Sequence, residues 1–157
     1  MTINKSLFLT IFLLLTAALT AAAASGPDRT AKKFYKKGLK AYEKNDFSEA
    51  RQQLEKAIES YPDYADAYYT LGRIALAEKQ TKQAFDYFSK ATRIDPAHGQ
   101  AQLEMGRILM AARMPEEALL RIEAVLKGDP GNLDALLVKG SALLAQKRSA
   151  DAVEILS

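Results

Sequence analysis

The chain has 157 residues, 48% of them hydrophobic, with 22 Lys and Arg against 19 Asp and Glu for a formal net charge of +3. That length and composition fit one ordinary folded domain, and the charge is too small to imply a nucleic-acid partner by itself. Cysteine is absent, which excludes disulfides, thiolate metal sites, cysteine nucleophiles and lipid attachment at cysteine.

Residues 1–24 differ from the remainder. "MTINKS" carries one lysine and no acid, "LFLTIFLLLTAALT" is apolar, and "AAAAS" supplies small residues. A basic start, an apolar centre and an Ala-x-Ala site predict a secretory signal peptide, cleaved after Ala24 or one residue earlier. The alternative is an uncleaved membrane anchor over residues 7–24, at the short end for a span. Either reading places the rest of the chain outside the cytoplasm, in the periplasm or cell envelope, after a linker at residues 25–30.

From residue 31 the sequence repeats. Gly38, Gly72, Gly106 and Gly140 follow one another at intervals of 34, as do Ala50, Ala84, Ala118 and Ala152, and Pro62, Pro96 and Pro130. A period of this size marks stacked supersecondary units, here 31–64, 65–98, 99–132 and an incomplete 133–157. Each unit holds two helical stripes. In the second, Tyr68, Leu71 and Ala75 share one face, and Ala84, Phe88 and Ala91 share another. Between the stripes lie polar turns. "EKNDFS" offers Asn45 and Asp46 for a turn and N-cap, "EKQTK" is the second turn, and Pro115 falls near the first position of its helix. The prolines at 62, 96 and 130 stop the second helices. "GDPGN" at 128–132 is linker punctuation, because no Lys-Ser/Thr follows it and no strand precedes it.

This pattern resembles the tetratricopeptide repeat (TPR). The second unit carries it best, with Tyr68, Leu71, Gly72, Ala84, Phe88, Ala91 and Pro96. The first has Phe34, Gly38, Ala50, Leu54, Ala57 and Pro62. The third has Met105, Gly106, Ala118, Ile122 and Pro130, with Gln102 in place of the aromatic and Val125 in place of the last alanine. The fourth has Leu136, Gly140, Ala152 and Leu156. The resemblance implies an all-α, right-handed superhelical solenoid of about four repeats, whose first helices line a concave surface. It implies a non-enzymatic interaction scaffold without cofactor or metal, binding a protein or peptide.

It also places the fifth, ninth and twelfth residues of each repeat on that surface. These are Tyr35, Leu39 and Tyr42; Tyr69, Arg73 and Leu76; Leu103, Arg107 and Met110; and Leu137, Ser141 and Leu144. Tyrosine and arginine are frequent anchors, so a peptide with apolar side chains and one or two carboxylates would suit the groove. The competing expectation is that these side chains pack between first helices, with the arginines paired to Glu104 or another local acid. Some family members grip a terminal carboxylate with lysine and asparagine where this chain has Tyr35 and Leu39, which disfavours a chaperone-adaptor reading. The layout is similar to exported TPR proteins of exopolysaccharide and exosortase-linked (PEP-CTERM) systems, though the lipobox cysteine many of them carry is missing.

Enzyme chemistry finds no support. The single histidine, His98, is expected as a solvated linker residue, and no metal-ligand pair, CxxC, GxGxxG or Walker loop occurs. Glu116 and Glu117 open a helix, where acids favour its dipole. Lys32, Lys33, Lys36, Lys37 and Lys40 form the densest basic run. They predict a solvated helix or attraction to anionic lipid rather than nucleic acid. Membrane contact is expected only through that helix or an uncleaved N-terminal segment. At the other end "DAVEILS" leaves Val153 and Leu156 on a face that a further repeat or cap would cover. The chain is therefore expected to be partial or to pair there, and it could be the N-terminal accessory region of a longer protein. Gly72 itself predicts close approach of two helices, near Ala84 and Phe88.

Overall fold

The computed structural model describes residues 26–156, so the predicted signal segment lies outside the described residues. Among the described residues there are eight helices and no strand: α1 (Arg29–Glu43), α2 (Phe47–Ser60), α3 (Ala65–Ala77), α4 (Thr81–Ile94), α5 (Gly99–Ala111), α6 (Pro115–Gly128), α7 (Leu133–Ala145) and α8 (Ser149–Leu156). They pair as the repeat predicts, α1 with α2, α3 with α4, α5 with α6 and α7 with α8. The first helix begins two residues before the repeat boundary at 31, because the Asp28 side chain accepts from the Ala31 N–H at 2.7 Å and caps it.

Each first helix ends in the same way. Asn45, Lys79, Arg113 and Lys147 have φ of 59°, 62°, 60° and 61°, a further column with the period of the repeat. The next residue's N–H reaches back to the carbonyl five residues earlier, as in Asp46 to Ala41, Gln80 to Ala75, Met114 to Leu109 and Arg148 to Leu143. The left-handed residue's own N–H bonds the carbonyl three back. This is the Schellman termination, which satisfies carbonyls the helix leaves open. Asp46 then caps α2 by accepting from the Glu49 N–H, and Pro115 occupies the first turn of α6. The second helices close on Tyr61, Asp95 and Asp129, with φ of −146°, −125° and −137°. Each precedes a proline, which disfavours helical backbone in the residue before it.

The core runs through the stack rather than within one helix pair. Leu54 and Ala57 of the first repeat pack with Ala67, Leu71 and Ile74 of the second. Ala75, Ala84 and Phe88 pack with Ala101 and Met105 of the third. Ile122 and Val125 pack with Ala135 of the fourth. Burial therefore depends on stacking, as in a quasi-one-dimensional solenoid. The alanine column is inside: Ala50, Ala84 and Ala118 are fully buried, and Ala152 nearly so. The glycine column sits against the second helices. A Cβ on Gly38 would meet Leu54, one on Gly72 would meet Phe88, and one on Gly106 would meet Ile122.

Candidate partner-binding face

The first helices lie side by side along one face, with α1 in contact with α3, α5 with α7, and the residue before α5 bridging to α3. Tyr35 on α1 packs against Tyr64 at the start of α3, with ring centroids 4.8 Å apart and the rings tilted by 39°. One repeat later Tyr69 on α3 packs against His98 at the start of α5 in the same tilted fashion, at 5.0 Å. Leu103 takes the same place in the third repeat, where it is buried in the cluster with Ile122, Val125 and Ala135. Its 8% exposure corrects the expectation that it lines the groove, because the smaller aliphatic side chain sinks where the tyrosines project. Leu39, Tyr42, Leu76 and Met110 are half-buried. Leu137, Ser141 and Leu144 are exposed on α7.

The two aligned arginines differ. Arg107 lies 3.1 Å from Glu104 on its own helix and 3.1 Å from Asp134 on α7, so local acids balance its charge. Arg73 has no acid within ion-pairing distance among the described residues. Its guanidinium instead lies 4.8 Å from the centre of the Tyr42 ring and 5.9 Å from that of Tyr69. Aromatic faces orient an arginine without consuming its N–H donors or cancelling its charge. The expectation of local ion pairing therefore holds for Arg107 and fails for Arg73.

The tyrosines around Arg73 are neutral hydroxyl donors at ordinary pH. Burial raises the Tyr35 and Tyr69 phenols above their usual range. Burial, with Tyr35 and Asp66 adding to it, pushes Tyr64 up to about 12. The arrangement is thus an oriented cation without a direct ion pair among the described residues, set among tyrosines and aliphatic side chains, with Asp66 and Glu104 farther off. It can accept a carboxylate and cover the apolar side chains next to it.

His98 is not the solvated linker residue the sequence predicts. Its side chain is only 8% exposed. Nδ1 accepts from the Ala101 N–H at 3.2 Å and so caps α5, while Nε2 lies 3.4 Å from Asp66 Oδ1 on α3. Only the preference of N-cap positions for side-chain acceptors could have indicated this role, and Asn132 performs it one repeat later by accepting from the Ala135 N–H. Contact with Asp66 raises the His98 pKa above 6.5, and contact with His98 holds Asp66 below 3.8. The histidine's contribution is complete below 6.5 and is lost as pH rises through its folded value. The aspartate's contribution is present above 3.8 and is lost as pH falls through its folded value. Asp66→Asn should therefore lower the unfolding midpoint most between pH 3.8 and 6.5, and less at higher pH. Unfolding curves of both proteins across that range check this; a difference that grows above neutral pH contradicts it.

Among the described residues no cluster of three or more His, Asp or Glu side chains could hold a metal ion. A family model described as tetratricopeptide repeat matches residues 35–98 and 103–157, and a second one so described matches 75–125. No curated protein sequence matches the chain. Among solved structures, Pseudomonas aeruginosa pilF is similar with a TM-score of 0.74 and 26% identity, covering 81% of this chain and 58% of that one. YrrB, described as a TPR protein with an unusual peptide-binding site, has a TM-score of 0.66 and 27% identity, covering 86% of this chain and 66% of its own. The first TPR of Spaghetti (RPAP3), bound to the HSP90 peptide SRMEEVD, shares the fold with a TM-score of 0.69 and 20% identity, covering 76% of this chain and 94% of its own.

Proposed function

Because the chain belongs to the tetratricopeptide repeat family, whose members mediate protein–protein interaction, we propose that it holds a partner segment on its first-helix wall, with Arg73 as the charged anchor. The observation that carries this is the guanidinium of Arg73, set against Tyr42 and Tyr69 with no acid within ion-pairing distance among the described residues. The fitting ligand is a peptide presenting a carboxylate to Arg73 and apolar side chains to Leu39 and Leu76. YrrB, with its unusual peptide-binding site, and the Spaghetti domain, bound to an HSP90 peptide, support a peptide as the occupant. The protein works as a scaffold without chemistry of its own. The export pattern in residues 1–24 supports a place in the cell envelope, assisting a secretion, envelope-assembly or polysaccharide-export complex.

A second reading is favoured by the last repeat, where Leu133 and Val153, outside the wall positions, are 76% and 67% exposed. Further chain could cover that face, which would make these repeats the accessory part of a longer protein. The length of the native reading frame separates the two readings.

Affinity capture from envelope fractions, with the full chain against Arg73→Glu, tests the proposal. Arg73 is exposed, so its reversal should leave the unfolding free energy within about 0.5 kcal/mol of wild type. Captured partners should fall at least tenfold, about 1.4 kcal/mol or more in binding. An unchanged set of partners refutes the anchor.

A further inference from the structure

The end face of the solenoid is built differently from the inner faces it copies. Positions that stack on the preceding repeat are Ala67, Leu71 and Ile74 on α3, all essentially buried. Their counterparts on α1, one repeat earlier, are Lys33, Lys37 and Lys40, all exposed. A repeat stacked there would bury three ammonium groups, so α1 presents a terminal face.

A solubilising cap needs polarity, and mixed charges would serve. This face has one sign only. Arg29, Lys32, Lys33, Lys36, Lys37 and Lys40 form a single strip along the outer side of α1. No acid lies within ion-pairing distance of any of them among the described residues. Residues 29–44 hold seven basic side chains and one acidic, whereas residues 45–157 hold 14 basic and 17 acidic. The excess positive charge of the chain after the N-terminal segment is therefore concentrated on this helix.

We propose that this face docks on a bilayer containing anionic phospholipid. A strip about 16 Å long, from Arg29 to Lys40 at helical rise, lets several headgroups meet several ammoniums at once. A convex helix ridge suits a plane better than it suits an extended peptide, which favours a groove between helices. The strip also begins where the sequence leaves its apolar N-terminal segment. Four residues lie between Ala24 and Arg29, and the five steps from one to the other reach at most about 18 Å. If that segment is retained as an anchor, the strip stays beside the bilayer. If it is cleaved, the strip acts as a peripheral contact. Docking through α1 leaves Arg73 on α3 open, so the surface is distinct from the partner-binding wall.

Flotation of the full chain with vesicles of phosphatidylcholine, with and without phosphatidylglycerol, tests this. Any pull from the apolar segment is common to both lipid mixtures. Each basic side chain near an anionic surface raises partitioning about fivefold. Wild type should therefore prefer the anionic vesicles by at least tenfold and lose the preference in salt that shortens the Debye length to about 3 Å. Lys32→Glu, Lys36→Glu and Lys40→Glu together should abolish it. Lys79→Glu, Lys82→Glu and Lys147→Glu, the same charge change elsewhere, should not. The corresponding Lys→Gln set on α1, which preserves side-chain length without like-charge repulsion, should weaken it to an intermediate degree. Equal binding to both vesicle types, or equal loss in the two glutamate sets, overturns the proposal. So does capture of an acidic protein by the strip without any lipid preference.

Discussion

Gly72→Leu should destabilise the stack by about 1–3 kcal/mol through overpacking, read as a lower midpoint in thermal or urea unfolding. A Cβ at this position would lie 2.4 Å from Phe88 Cε1 and 2.7 Å from Cδ1, closer than carbon atoms can approach. Phe88 is fully buried, and its rigid ring cannot bend aside as an aliphatic chain can. Replacing glycine inside a helix ordinarily gains up to about 1 kcal/mol, and here the clash outweighs that gain. Gly106 provides the internal comparison, because its Cβ would meet Ile122 Cδ1 at 2.7 Å, the end of a flexible side chain. Alanine at 106 should therefore cost less than alanine at 72. A midpoint for Gly72→Leu equal to wild type would show that the helices do not meet as described.

Phe88→Ala attacks the same contact from the other side and should cost more, about 3–5 kcal/mol. The ring fills the junction of the second and third repeats, with Ala75, Ala84, Ala91, Ala101 and Met105 around it. These neighbours are mostly alanines, which cannot extend into a cavity. Tyr69 also leans on Phe88, with centroids 5.8 Å apart, so the loss should loosen one of the two rings that orient Arg73. In a solenoid a weakened junction separates its flanks, and the unfolding transition should broaden as well as shift. A sharp transition with an unchanged midpoint contradicts the junction's place in the core.

The repeat was legible because its marks are contacts. Gly72 is glycine because Phe88 occupies the space of its side chain, and Ala84 is alanine because no larger residue fits, so both recur wherever the helices meet. The left-handed column left no such trace. Its backbone favours glycine or asparagine, yet after Asn45 it holds Lys79, Arg113 and Lys147, whose exposed side chains carry no sign of the strain beneath them. His98 was misread for a related reason. A lone histidine in a linker looks solvated, and its cap and its acid partner lie on different helices that only the fold brings together. The wall residues were legible as positions but not as environments. Sequence aligned Arg73 with Arg107, while the difference between them rests on Glu104, whose counterpart one repeat earlier is Thr70, and on Asp134, which reaches Arg107 from the next repeat. The residue one repeat before Asp134 is Gln100, which supplies no corresponding charge to Arg73.

The central claim is that a partner segment lies along the first helices beside Arg73. Site-specific photo-crosslinking in envelope fractions tests it most directly, with the reactive residue at Leu76 on the wall or at Glu55 and Asp86 on the exposed sides of the second helices. The account predicts a discrete crosslinked partner from Leu76 that disappears when Arg73→Glu is added, and none from the other two. Partners crosslinked at Glu55 or Asp86 and absent at Leu76 would contradict it.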